Sequence, residues 1–125
     1  MRRIIPIVLI IGFSLHSLWS QNLTGVDQLV RGYGDFETPE KLAEQINKDF
    51  SSDLEKARAI YTWIASNIVY DLRSKRFTYT YRQKKEIKIK EEKRKKRVAT
   101  YTFLEKKGVC DGYANLYHYL GDLTN

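Results

Sequence analysis

Between Arg73 and Arg97 the chain carries thirteen lysines and arginines against three glutamates, a local charge of +10 in twenty-five residues. Charges of one sign at that density repel one another and keep their solvent, so the stretch is lost to any core and the flanking segments must supply it. Lys93 to Arg97 is a run of five cations that needs water or an anionic partner. A solvated, variable insert loop is the favoured reading. The other is a binding patch for anionic lipid headgroups, acidic polysaccharide or nucleic acid, with Tyr79 and Tyr81 placed to stack or to sit at an interface. No sequence-specific nucleic-acid partner is expected, because the charge is confined to this block.

At the other end, Arg2 and Arg3 precede an apolar run from Ile4 to Leu18, closed by Ser20 before the polar Gln21 and Asn22. This is the pattern of a secretory signal peptide over residues 1–20, cleaved near Ser20. A membrane span needs about 20 apolar residues, more than this run has. No cysteine lies near the cleavage point, so a lipoprotein anchor is not supported. The expected mature product has 105 residues and a charge of +5, is secreted or periplasmic, and outside the basic block is acidic by about −5. A total of 125 residues and 14.7 kDa allows one small domain. Its single cysteine, Cys110, excludes an internal disulfide framework.

Residues 21–37, with Gly25, Gly32 and Gly34 and little periodicity, read as an extended lead-in to a domain over 38–125. Thr38 and Pro39 are a good helix start, and Leu42, Ile46 and Phe50 follow at helical spacing, predicting a helix over 39–49. Ser52 and Glu55 form a Ser-x-x-Glu capping box. Beyond them Leu54, Ala57, Tyr61, Ile64 and Ile68 recur at three- and four-residue steps, with Ile60 and Trp63 widening the stripe of a helix over 53–68. Phe77 to Tyr81 and Glu86 to Lys90 each alternate with period two, enough for a short β-hairpin, and Val98 to Leu104 reads as a short helix or turn.

A third helix opens at Gly108-Val109-Cys110-Asp111-Gly112-Tyr113, with Ala114, Tyr117 and Leu120 at packing intervals and Cys110 in its first turn. Unpaired backbone N–H groups and the positive end of the helix dipole there favour the thiolate, while Asp111 opposes it. Three readings of the thiol stay open on spacing alone: a small core residue, a disulfide between two chains, or a reactive nucleophile.

The stretches Lys56-Ala57-Arg58-Ala59-Ile60-Tyr61-Thr62-Trp63-Ile64-Ala65-Ser66-Asn67-Ile68-Val69-Tyr70-Asp71 and Lys107-Gly108-Val109-Cys110-Asp111-Gly112-Tyr113-Ala114-Asn115-Leu116 resemble the two signature stretches of the transglutaminase-like superfamily, in its bacterial exported branch. The second is the more specific. The resemblance implies an α+β fold of the transglutaminase or papain-like type, and Cys110 as a nucleophile that attacks a protein or peptide carboxamide and passes the acyl group to an amine or water. It also implies a catalytic His and Asp on following strands. The chain ends at Asn125, where that sheet would begin, so the expected product is mainly α, truncated before its sheet and catalytically silent. His118 lies eight residues along the same helix, about 12 Å of rise from the thiol, beyond the ~3 Å contact a base requires. It reads as a surface or packing residue, and Asp71 and Asp111 as helix-end or capping groups.

With the sheet absent, Trp63, Tyr113 and Leu116 are expected to stay exposed in a marginal or associating fold. One Cys and one mature His are too few soft ligands for a metal, and no Gly-rich phosphate loop is present, so no cofactor is expected. The reading to set against an enzyme is a non-catalytic protein that binds anionic surfaces through residues 73–97.

Overall fold

The computed structural model describes residues 23–72 and 87–125. Helix α1 (Leu23–Arg31) buries Val26 and Val30, one turn apart. The lead-in is therefore helical over 23–31, where an extended segment was expected. Leu23, Val26 and Val30 keep helical spacing through Gly25, and packing on the next helices outweighs the weak propensity of that glycine.

Helix α2 (Pro39–Asp49) starts where the sequence places it: Thr38 Oγ1 accepts the Lys41 N–H at 3.3 Å and Pro39 takes the first helical position. Helix α3 (Asp53–Asn67) opens with the reciprocal capping box, Ser52 Oγ accepting from the Glu55 N–H at 3.3 Å and the Glu55 carboxylate accepting from the Ser52 N–H at 3.2 Å. The Ser52 hydroxyl, donating to the same carboxylate at 2.8 Å, and then the Ser52 N–H hold the Glu55 carboxyl below its usual range. The buried stripe of α3 is rotated from the expected one. Ala59, Ile60, Trp63 and Ile64 face the core, whereas Leu54 and Tyr61 are about half exposed. Asp27 of α1 fixes the rotation. It accepts from Arg58 Nε and Nη2 at 2.7 and 2.6 Å and from Thr62 Oγ1 at 2.6 Å, so that edge of α3 faces α1.

Strand β1 (Val69–Tyr70) pairs in parallel with β2 (Lys107–Gly108), Val69 opposite Lys107 and Tyr70 opposite Gly108. Between them in sequence comes α4 (Ile87–Glu105), and β2 leads into α5 (Cys110–Thr124). The architecture is thus mainly helical with one short parallel ladder. The hairpin expectation fails over Ile87–Lys90, which form the first turn of α4; its other half, Phe77–Tyr81, lies outside the described residues.

The described part of the basic block is likewise helix, not loop. Repulsion among Lys93–Arg97 is offset by pairs one turn apart, Glu91–Arg94 at 2.9 Å and Glu92–Lys95 at 3.5 Å, and the far half of the helix is pinned by Ala99, Thr102 and Phe103, all buried. Val98 to Leu104 is accordingly the end of this long helix. Phe103 stacks on Trp63 with centroids 4.9 Å apart and planes 15° from parallel.

This cover overturns the expected exposure: Trp63 is 1% and Leu116 0% exposed, and Tyr113 is half-buried. At the exit of α4, Lys106 takes the left-handed conformation with φ 53° and lays its ammonium 4.4 Å from the Phe103 centroid and 4.6 Å from that of Trp63. Cation–π attraction offsets part of the backbone cost. Burial pushes the Lys106 amine down, against the opposing pull of Asp35. Among the described residues no helix is long and apolar enough to cross a membrane.

Candidate active site

Cys110 opens α5 and is exposed, which removes the core-residue reading of the thiol. Its position depends on how closely α4 approaches the start of α5. A Cβ at Gly112 would lie 2.5 Å from Thr102 Oγ1, and one at Gly108 would lie 3.1 Å from Thr102 Cγ2. Only glycine at 112 lets the buried Thr102 side chain seat against the first turn, with Gly108 giving the second close approach.

Three further contacts tie the same turn down. Arg94 of α4 donates from Nη1 to Asp111 Oδ2 at 3.0 Å while its Nε and Nη2 donate to both Glu91 oxygens at 3.1 and 2.9 Å. The two carboxylates raise the Arg94 guanidinium above its usual value, and Arg94 lowers Glu91 in return. Asn115 Nδ2 donates to Asp111 Oδ1 at 2.9 Å, and Tyr113 Oη donates to the Ile68 carbonyl at 2.6 Å, joining α5 to the end of α3. Burial is the main cause pushing the Tyr113 phenol up, with Tyr70 adding to it.

Val109, at the N-cap, supplies no side-chain acceptor to the first turn. The first-turn N–H groups of α5 are therefore left for a ligand, an anion or the thiolate itself. Cys110 lines an open groove of about 1000 Å³ between α3 and α5. Its walls are mainly apolar: Ala57, Tyr61, Ile64 and Ala65 on one side, Ala114 and Tyr117 on the other. Tyr117 Oη donates to the Ala57 carbonyl at 3.4 Å, and Lys56 Nζ to the Thr124 carbonyl at 2.8 Å, closing the far end.

His118 lines the same groove but is 73% exposed, its Nδ1 3.1 Å from Asp122 Oδ2 one turn on. Asp71 is tied by its backbone, its N–H donating to the Gly108 carbonyl at 2.9 Å. The structure thus brings Cys110 and His118 to one groove at separate points of α5, and brings Asp111 to Arg94. Sequence reasoning missed Thr102, Arg94 and the Ile68 carbonyl. Thr102 has no motif of its own; the two glycines flanking Cys110 were its only trace. Arg94 was hidden in a run of like charges.

An exposed thiol thus stands in the first turn of a helix and lines a mainly apolar groove, with the buried Thr102 seated against the same turn. The model of the Transglutaminase-like superfamily matches residues 40–121, and the chain belongs to that superfamily. The match runs from the first turn of α2 to Gly121 of α5 and includes Cys110 and the groove residues Ala57, Tyr61, Ile64, Ala65, Ala114 and Tyr117. No curated protein and no solved structure matched the chain.

Proposed function

We propose that this chain carries the acyl-accepting half of a thiol acyltransferase or peptidase outside the cytoplasm, with Cys110 as its nucleophile. The single observation that carries the reading is the exposed Cys110 at the start of α5, inside the stretch matched by the superfamily. The thiolate sulfur attacks the carbonyl carbon of a protein or peptide carboxamide, and the C–N bond breaks. The nitrogen leaves with a proton as ammonia or an amine, and an amine or water later opens the thioester. Export rests on the Arg2-Arg3 and Ile4–Leu18 pattern.

The two halves of acylation need different things from the protein. Attack on the carbonyl needs the thiolate and the first-turn N–H groups, which help the developing oxyanion. Expulsion of a nitrogen leaving group needs a proton donor within about 3 Å. Among the described residues His118 holds the single imidazole, and it lies about 12 Å of helix rise from Cys110. An activated ester, whose leaving group departs as a stable anion, bypasses that need.

Incubation with p-nitrophenyl acetate followed by intact mass analysis tests the proposal. One acetyl group on the wild-type chain, none on Cys110→Ala, and no turnover of a peptide carboxamide is the expected set. Equal labelling of Cys110→Ala refutes the nucleophile. Carboxamide turnover by the wild-type chain, lost in Cys110→Ala, refutes the split between the halves.

A further inference from the structure

The five consecutive cations of α4 divide by direction. Arg94 is committed to Glu91 and Asp111, Lys95 pairs with Glu92, and Lys96 stands 5.3 Å from the centroid of the Tyr119 ring, whose hydroxyl donates to Glu40. Lys93 and Arg97 are exposed and have no hydrogen-bond or ion-pair partner among the described residues. They lie one turn apart, and the same stripe continues at that spacing through Tyr101 and Leu104, which are 59% and 57% exposed. The inward stripe of the helix is Ala99, Thr102 and Phe103. The outer face of α4 therefore reads, along the axis, cation, cation, aromatic, aliphatic.

We infer that this outer face docks on an anionic phospholipid surface. Lys93 and Arg97 would meet the headgroup phosphates, while Tyr101 and Leu104 enter the boundary between headgroups and acyl chains. A purely electrostatic partner such as duplex nucleic acid would engage the cations and leave a half-exposed leucine without purpose. Among the described residues α4 contributes nothing to the lining of the Cys110 groove, so docking through α4 leaves the thiol open to substrate. The inference is independent of whether Cys110 is a nucleophile.

Co-sedimentation of the full chain with lipid vesicles tests it, phosphatidylcholine alone against phosphatidylcholine containing about 30% phosphatidylglycerol. The N-terminal apolar run is the same in every variant, so differences between variants report on α4. Lys93→Glu with Arg97→Glu is expected to weaken partitioning onto the anionic vesicles by about 30-fold or more, at roughly fivefold per lost cation before the added repulsion. Tyr101→Ala with Leu104→Ala is expected to weaken it about 5- to 10-fold and to leave a binding that falls more steeply with salt. All four positions are exposed, so both variants should melt with the wild type. Equal partitioning of the charge-reversed variant and the wild type on anionic vesicles overturns the inference. So does tighter binding to duplex DNA than to the vesicles, with the Tyr101→Ala, Leu104→Ala variant undiminished, which would make nucleic acid the partner.

Discussion

Helices α3 and α5 each have two working faces, and the two are built differently. On the side covered by α4, Trp63, Phe103, Leu116 and Leu120 are at most 1% exposed, and Thr102 fits between two glycines. On the groove side the same helices present alanines and tyrosines, with Tyr61 57% and Tyr117 41% exposed, and Cys110 at the edge. The covered side holds the fold, and the open side leaves the Cys110 thiol exposed along the groove.

The most forceful way to break this contrast is a pair of truncations. Phe103→Ala removes a fully buried ring stacked on Trp63 and is expected to cost about 3–5 kcal/mol. Tyr61→Ala, across the same helix layer on the groove side, is expected to cost well under about 1 kcal/mol. Urea titrations of both variants measure this, and equal losses would erase the distinction between the faces.

A second pair separates two glycines of one helix. Gly112→Ala puts a methyl 2.5 Å from Thr102 Oγ1 and should destabilise by about 1–3 kcal/mol. Gly121→Ala meets nothing within 4 Å, and in a helix interior it should stabilise by about 0.5–1 kcal/mol. The order of their melting temperatures around the wild type is the readout.

The smallest effect is acid sensitivity at the contact of α1 with α3, outside both faces. Hydrogen bonds from Arg58, then Thr62, hold the Asp27 carboxyl well below the usual carboxylate range. A carboxylate lowered on folding stabilises above its unfolded value of about 3.9, and that contribution is lost as pH falls through the native value. Glu40, Asp49, Glu55 and Glu91 are lowered too, so the wild type should lose stability steadily below about pH 4. Asp27→Asn should melt lower at neutral pH and decline less steeply between about pH 5 and 3. A decline parallel to that of the wild type would remove Asp27 from the account.

What could be read in the sequence was local. Thr38-Pro39 and Ser52-x-x-Glu55 announce helix starts because capping is settled within four residues, whereas the thiol helix, which has no side-chain cap, is announced by the spacing of Ala114, Tyr117 and Leu120. What could not be read depends on partners far along the chain. The register of the α3 stripe is set by Asp27, the burial of Trp63 by Phe103, and the seat of Arg94 within the cation run by Asp111. Alternation at Ile87 and Ile89 favoured a strand, and the packing of the rest of α4 made it a helix. Of the candidate site, Cys110 was legible from its own surroundings. The groove was not, because the residues on its α3 wall were assigned to the core.

The rate at which iodoacetamide alkylates Cys110 at neutral pH, in the native protein and again in strong urea, tests the central claim most directly. If the start of α5 presents the sulfur as a nucleophile, the native chain reacts faster than the unfolded one, where the helix and its N–H groups are gone. A native rate equal to or below the unfolded rate would contradict it.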